Sequence, residues 1–108
     1  MRMERERLVI TTSDNGWTVA GEIDASTAPT LDDALRSLPV ADGSVVVDVS
    51  DVAFIDSSGL RVLISLASRA DHVGRSVILE RPSPTVRRLL EITGLTETFG
   101  LAGDPAGT

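Results

Sequence analysis

Cysteine is absent from the 108 residues, and with it go disulfides, thiol catalysis and the usual cysteine-based zinc sites. The fold must stand on its core alone, which a chain of this length can do by burying roughly two thirds of its unfolded surface. Lysine is absent too: all 10 basic residues are arginine. That excludes the P-loop lysine, Schiff-base chemistry and the lysine that accompanies a phospho-aspartate site. There is no tyrosine and a single histidine, His72, so acid–base catalysis would rest almost entirely on carboxylates. An enzyme starts here with few parts, and no catalytic residue is assigned. No window approaches the ~20 apolar residues of a membrane span, and the opening stretch, MRMERERLVI, is charged rather than apolar. A soluble, cytoplasmic protein with no membrane partner is expected. Cation excess is lacking as well. Sixteen acidic residues give a net charge of -6, the wrong sign for a surface that follows nucleic-acid phosphates.

What is present is periodic. Arg7 to Thr12 reads as a strand, Ser13 to Gly16 as a turn, and Trp17 to Ile23 as a second strand with Trp17, Val19, Gly21 and Ile23 on one face; so short a polar turn makes a hairpin. Trp17 is expected in the core or covering an edge. In DASTAPTLDDALRSL, residues 24 to 38, the period changes, with Ala28, Leu31, Leu35 and Leu38 spaced for a helix. Ser26 or Thr27 would cap it, Pro29 suits its first turn, and Asp32 and Asp33 would lie near its positive end. Val45 to Val49 is a β-branched run interrupted by Asp48, the pattern of a strand buried on both faces. Asp48 is expected to finish that strand with a hydrogen bond to the next loop. From Ser57 to about Val73 a second helix would bury Leu60, Leu63, Ile64, Ala67 and Ala70 and expose Arg61, Ser65, Ser68 and His72. His72 near its end is read as a solvated residue favourable to the helix dipole.

Gly74 ends that helix, Ser76 to Glu80 forms another strand, and a last helix has Ser83 as cap, Pro84 at its first position and Gly94 just beyond its end. Arg87 and Arg88 read as its solvated face. Leu95, Phe99 and Leu101 either close the sheet's end or pack as a short final helix, and AGDPAGT is expected to fray. The order strand, strand, helix, strand, helix, strand, helix describes one α/β domain. Its mixed sheet has four to five strands, with right-handed parallel crossovers after an antiparallel hairpin.

In such sheets functional residues collect beyond the carboxyl ends of the parallel strands. DVAFIDSSG, residues 51 to 59, reads as a loop of this kind, feeding a helix whose free N–H groups favour a phosphate on a nearby serine. Gly59 would keep the approach to those amides open. Two readings coexist: a plain helix cap at Asp56 or Ser57, and a hydroxyl that is switched by modification. The second gains weight from GEIDAST, which the topology brings to the same edge. Asp24, Asp48 and Asp56 as a magnesium site is disfavoured, because Asp48 lies inside an apolar run; no metal or cofactor is expected.

GEIDASTAPTLDDAL, then VVVDVSDVAFIDSSGLRVLI, then GRSVILERPSPTVRRLLEITGL resembles the STAS domain of bacterial anti-sigma factor antagonists, over about residues 8 to 101. The resemblance implies the STAS fold and a binding switch rather than a catalyst. In that family the unphosphorylated protein captures an anti-sigma factor, often a serine kinase, and so frees a sigma factor. Phosphorylation by that kinase ends the capture, and a serine phosphatase resets it. It also implies that Ser57, directly after the motif's Asp56, is the acceptor, with Ser58 as second choice, and that Asp24, Asp56, Ser57, Ser58, Gly59 and Arg61 belong to the partner-binding surface. The alternative is a constitutive STAS adaptor subunit of a transport or signalling complex, in which the serines only cap a helix.

Overall fold

Residues 7–102 are described by a computed structural model. Five strands form one sheet in the order β1-β2-β3-β4-β5: β1 (Leu8–Ser13), β2 (Gly16–Ile23), β3 (Val45–Ile55), β4 (Val77–Glu80) and β5 (Gly100–Ala102). Asp14 and Asn15 turn β1 antiparallel onto β2. Every later pair is parallel and is reached through α1 (Ala28–Ala34), α2 (Ser57–His72) or α3 (Pro84–Thr93). The core gathers on one sheet face, where Trp17, Val19, Ile23, Val45, Val47, Val49, Val77 and Leu79 are buried with Leu31, Leu35, Leu63, Leu66 and Leu90 of the helical segments.

The expectation that both faces of the valine strand are buried is corrected. Val46 and Ser50 are only half-buried and Thr18 and Glu22 on the neighbouring strand are exposed. β3 is central in the sheet, yet only one sheet face is deeply buried, and the β-branched run reflects strand preference more than two-sided burial. Nor does Asp48 finish the strand. β3 runs on to Ile55 because β2 stays beside it as far as Ile23, and two register shifts return Val52 and Ile55 to the core. The buried Asp48 carboxylate pairs with Arg81 and accepts from the Ser50 amide and hydroxyl at 2.9 and 2.7 Å. DVAFIDSSG is therefore not a loop: a single residue, Asp56, separates β3 from α2.

α1 is shorter than its periodicity suggests, ending at Ala34 with Leu35 as C-cap. Leu35 is fully buried all the same, and its carbonyl accepts from Arg69 Nη2 at 2.8 Å. Beyond it, one guanidinium, that of Arg75, donates to the carbonyls of Pro39, Ala41 and Gly43 at 2.6–2.9 Å. Arginine side chains thus satisfy the carbonyls of the irregular segment after the helix, including that of Leu35, whose helical donor would be residue 39, a proline without an N–H. Asp32 and Asp33 fall in the second half of the helix, where Arg36 meets both.

In α2 the buried set is Gly59, Leu60, Val62, Leu63, Leu66 and Ala70. Val62 and Leu66 take the places expected for Ile64, which is 39% exposed, and Ala67, which is half-buried. The helix packs on α1 as well as on β3 and β4, so its apolar face is turned toward both.

α3 begins and ends as expected. Ser83 Oγ accepts from the Val86 amide at 3.4 Å and donates to the Val52 carbonyl at 2.7 Å, so the cap also ties the helix to β3 where β4 has stopped. Gly94 closes it at φ 75°, a left-handed conformation natural to glycine. Arg88 is exposed, whereas Arg87 is half-buried. After Gly94 the described residues make no further helix. Phe99 is buried and β5 adds to the sheet beside β4. Residues 103–108 of the AGDPAGT tail lie outside the described residues.

Candidate functional site

The parallel pairing of Ile23 with Ile55 sets the geometry of the site. Asp24 and Asp56 each follow one of these residues, and the Asp56 amide donates to the Ile23 carbonyl at 3.1 Å. Both acidic junctions therefore stand at one edge of the sheet, beyond the carboxyl ends of β2 and β3.

Each carboxylate is occupied locally. Asp56 is the N-cap of α2, accepting from the amides of Ser58 at 2.8 Å and Gly59 at 3.4 Å. The cap role weighed for Ser57 thus falls to its neighbour. Ser57 is the first residue of the helix, exposed, and its hydroxyl makes no hydrogen bond among the described residues. Ser58 is half-buried and faces a different environment. It lines an open groove of about 500 Å³ between α1 and α2, together with Ala28, Pro29, Asp32, Arg61 and Val62. Arg61 is exposed on α2.

Gly59 plays another part than the one expected of it. It is buried, and a Cβ on it would stand 2.4 Å from Ile23 Cγ2 and 2.9 Å from Ile55 Cγ1. The missing side chain lets the first turn of α2 settle on the ends of β2 and β3, rather than opening a path to its amides.

Asp24 organises the other junction. Its Oδ1 accepts from the Ser26 amide and hydroxyl at 2.9 and 2.7 Å and from the Thr27 amide at 3.2 Å. Its carbonyl accepts from the Thr27 and Ala28 amides. Thr27, one of the two expected caps, makes no side-chain cap bond; its hydroxyl donates to the Glu22 carbonyl at 2.8 Å. Asp24 does the capping from three residues before. The other carboxylate oxygen of Asp24 pairs with Arg7, which also holds Glu22 at 2.9 Å and Ser26 Oγ at 2.7 Å. Arg7, Glu22 and Ser26 were outside the expected site, as was Phe54, which pairs with Glu22 in register and is 48% exposed. Asp24, Asp48 and Asp56 thus have separate partners, and among the described residues no group of three or more His, Cys, Asp or Glu could hold a metal ion.

The Ser26 hydroxyl and the Arg7 guanidinium hold the Asp24 carboxyl well below the usual carboxylate range. A carboxyl depressed by folding contributes stability that is present above its unfolded pKa, about 3.9, and is lost as the pH falls from there toward the folded value. Asp24→Asn should therefore lose less stability than wild type as the pH drops below about 4. Urea midpoints followed across that range measure it, and parallel curves for the two proteins would show that Asp24 contributes nothing.

Fold and site together define a class: a small α/β module whose distinctive surface is an exposed hydroxyl at a helix start, set among carboxylates already bound to other donors. Comparison with known proteins narrows this. The STAS domain family model matches residues 10–105, and the chain belongs to that family. It is 39% identical over 80 residues to an anti-sigma-B factor antagonist of Listeria monocytogenes, covering 73% of this chain and 70% of that protein. An anti-sigma factor antagonist of Mycobacterium paratuberculosis, of known crystal structure, is 31% identical and superposes with a TM-score of 0.65 over 91% of this chain and 86% of its own. The same fold appears in the unphosphorylated anti-sigma factor antagonist SpoIIAA, at 22% identity and a TM-score of 0.64 over 90% of this chain and 89% of that one. SpoIIAA of Bacillus is also known in its phosphorylated form, at a TM-score of 0.62 and 20% identity over 90% and 92% of the two chains. Among the described residues no helix is long and apolar enough to cross a membrane.

Proposed function

We propose that this protein is an anti-sigma factor antagonist that works by binding. Unmodified, it captures an anti-sigma factor of the serine-kinase type and so frees a sigma factor; phosphorylated on Ser57, it lets go. The observation that carries this reading is the exposed Ser57 hydroxyl, which makes no hydrogen bond among the described residues because Asp56 already caps the helix. Antagonists among the relatives support the role, and a protein of the same fold known with and without phosphate supports the modification.

In the transfer, Ser57 Oγ forms a bond to the γ-phosphorus of the kinase's ATP, the bond to ADP breaks, and the hydroxyl proton passes to a base on the kinase. A serine phosphatase reverses the state by hydrolysis, with water supplying the oxygen that leaves as inorganic phosphate. No catalytic residue, cofactor, metal, nucleic acid or membrane of this chain's own enters the scheme, which is that of a cytoplasmic regulator. Ser58 is the second choice of acceptor, since it is half-buried beside the groove.

The test is to incubate the protein with a candidate anti-sigma kinase from the same genome, ATP and magnesium, and to map the product by intact mass and peptides. One added phosphate on Ser57 is expected. A phosphate on Ser58 would move the acceptor by one residue. Stable binding with no modification would overturn the switch and make the domain a constitutive adaptor.

A further inference from the structure

We infer that Arg61 is the internal counter-ion for a phosphate on Ser57, pairing with it along α2 and leaving the partner-facing surface when the serine is modified. The inference rests on the phosphorylation reading above and adds a residue that responds to the phosphate.

Ser57 and Arg61 lie four residues apart on the exposed side of a 16-residue helix. Arg61 lines the groove beside α1, and because helical side chains lean toward the N-terminus its guanidinium can reach back to position 57. An acidic group placed four residues before a basic one is also the favourable order for a helical ion pair. In the unmodified protein Arg61 has no ion pair among the described residues.

The carboxylates around it are already engaged. Asp24 holds Arg7 and Ser26, Asp56 caps α2, and Asp32, which shares the groove with Arg61, is bound by Arg36 at 2.7 Å. A phosphate on Ser57 would bring roughly -1.5 to -2 charges and three strong acceptor oxygens. It would meet a guanidinium suited to bind two of those oxygens at once.

The pairing enlarges the switch. Phosphorylation alone adds negative charge to an edge that already carries Asp24 and Asp56. If Arg61 is drawn onto the phosphate, the partner also loses a cation it could contact in the unmodified state. An aspartate at position 57, with one charge and a shorter reach, would engage Arg61 less well than the phosphate does.

The test installs phosphoserine at position 57 by genetic encoding, so that no kinase is needed, and follows the second phosphate ionisation by phosphorus NMR. In the wild-type background its midpoint should lie about 0.2–0.4 of a unit below that in Arg61→Gln, and the gap should close in about 1 M salt. Arg61→Lys should restore part of it, and Arg88→Gln on the exposed face of α3 should leave the wild-type midpoint unchanged. Equal midpoints in wild type and Arg61→Gln at low salt would overturn the pairing. Failure of the phosphorylation reading has a separate signature: an anti-sigma factor that binds the phosphoserine protein as tightly as the unmodified one.

Discussion

Ser57→Asp should bind the anti-sigma factor about 100-fold more weakly than wild type, a loss of about 2.8 kcal/mol, whereas Ser57→Ala should bind within a few-fold of wild type and resist the kinase. The asymmetry follows from the local charge. Ser57 is exposed directly after Asp56, at the sheet edge that also carries the Asp24 junction, on a protein of net charge -6. A neutral hydroxyl is tolerated at an interface there. A carboxylate adds a like charge that must be desolvated together with its neighbours, and one such contact is enough for a loss of this size. The substitutions leave the helix cap intact, because the cap is Asp56 and not Ser57. Calorimetric titration of the anti-sigma factor into wild type, Ser57→Asp, Ser57→Ala and Ser58→Asp measures the effect, with melting curves to show that each variant is folded. Equal affinities for wild type and both aspartate variants would defeat the switch.

Which residue caps α2 was the part of the site least legible in the sequence. In Asp-Ser-Ser-Gly three successive side chains can reach the first amides of a helix, and residue type alone does not rank them. The choice falls to Asp56 because β3 stays paired with β2 to Ile55, leaving Asp56, with extended backbone, as the single residue between strand and helix. The same register explains why a stretch that looks like a loop is strand. Asp51, Ala53 and Phe54 break the simple alternation, but two register shifts return Val52 and Ile55 to the core. Such irregularities are set by the neighbouring strand and leave no local signature.

Other elements were readable because local and tertiary preferences agree. Ser83, Pro84 and Gly94 bracket α3 as a capping serine, a first-turn proline and a closing glycine should. The hairpin turn implies its own pairing as well. With Asp14 and Asn15 at the tip, Thr12 faces Trp17 and Leu8 faces Gly21; carried one step further, Arg7 falls opposite Glu22, where the ion pair forms. That contact follows from the hairpin's register alone. The arginine contacts beyond the end of α1 were not available in this way, because Arg69 and Arg75 lie more than 30 residues away in sequence.

Gly59→Ala should destabilise the protein by about 1–2 kcal/mol, although the same change in a helix normally helps by up to about 1 kcal/mol. The added methyl would stand 2.4 Å from Ile23 Cγ2 and 3.0 Å from Ile23 Cβ. Those atoms belong to the branched root of a buried side chain, 1% exposed and unable to swing aside. The first turn of α2 must lift instead, and with it go the Asp56 cap and the position of Ser57. Partner binding should then fall below that of Ser57→Ala, even though no charge is introduced. Because the cost arises from a collision, a double-mutant cycle isolates it. Ile23→Ala alone should lose about 2–5 kcal/mol, but in that background the cost of Gly59→Ala should shrink, leaving only the contacts with Ile55 Cγ1 at 2.9 Å and the position-23 Cβ at 3.0 Å. Additive losses would place the effect of Gly59 in backbone freedom rather than in the close approach of α2 to the ends of β2 and β3.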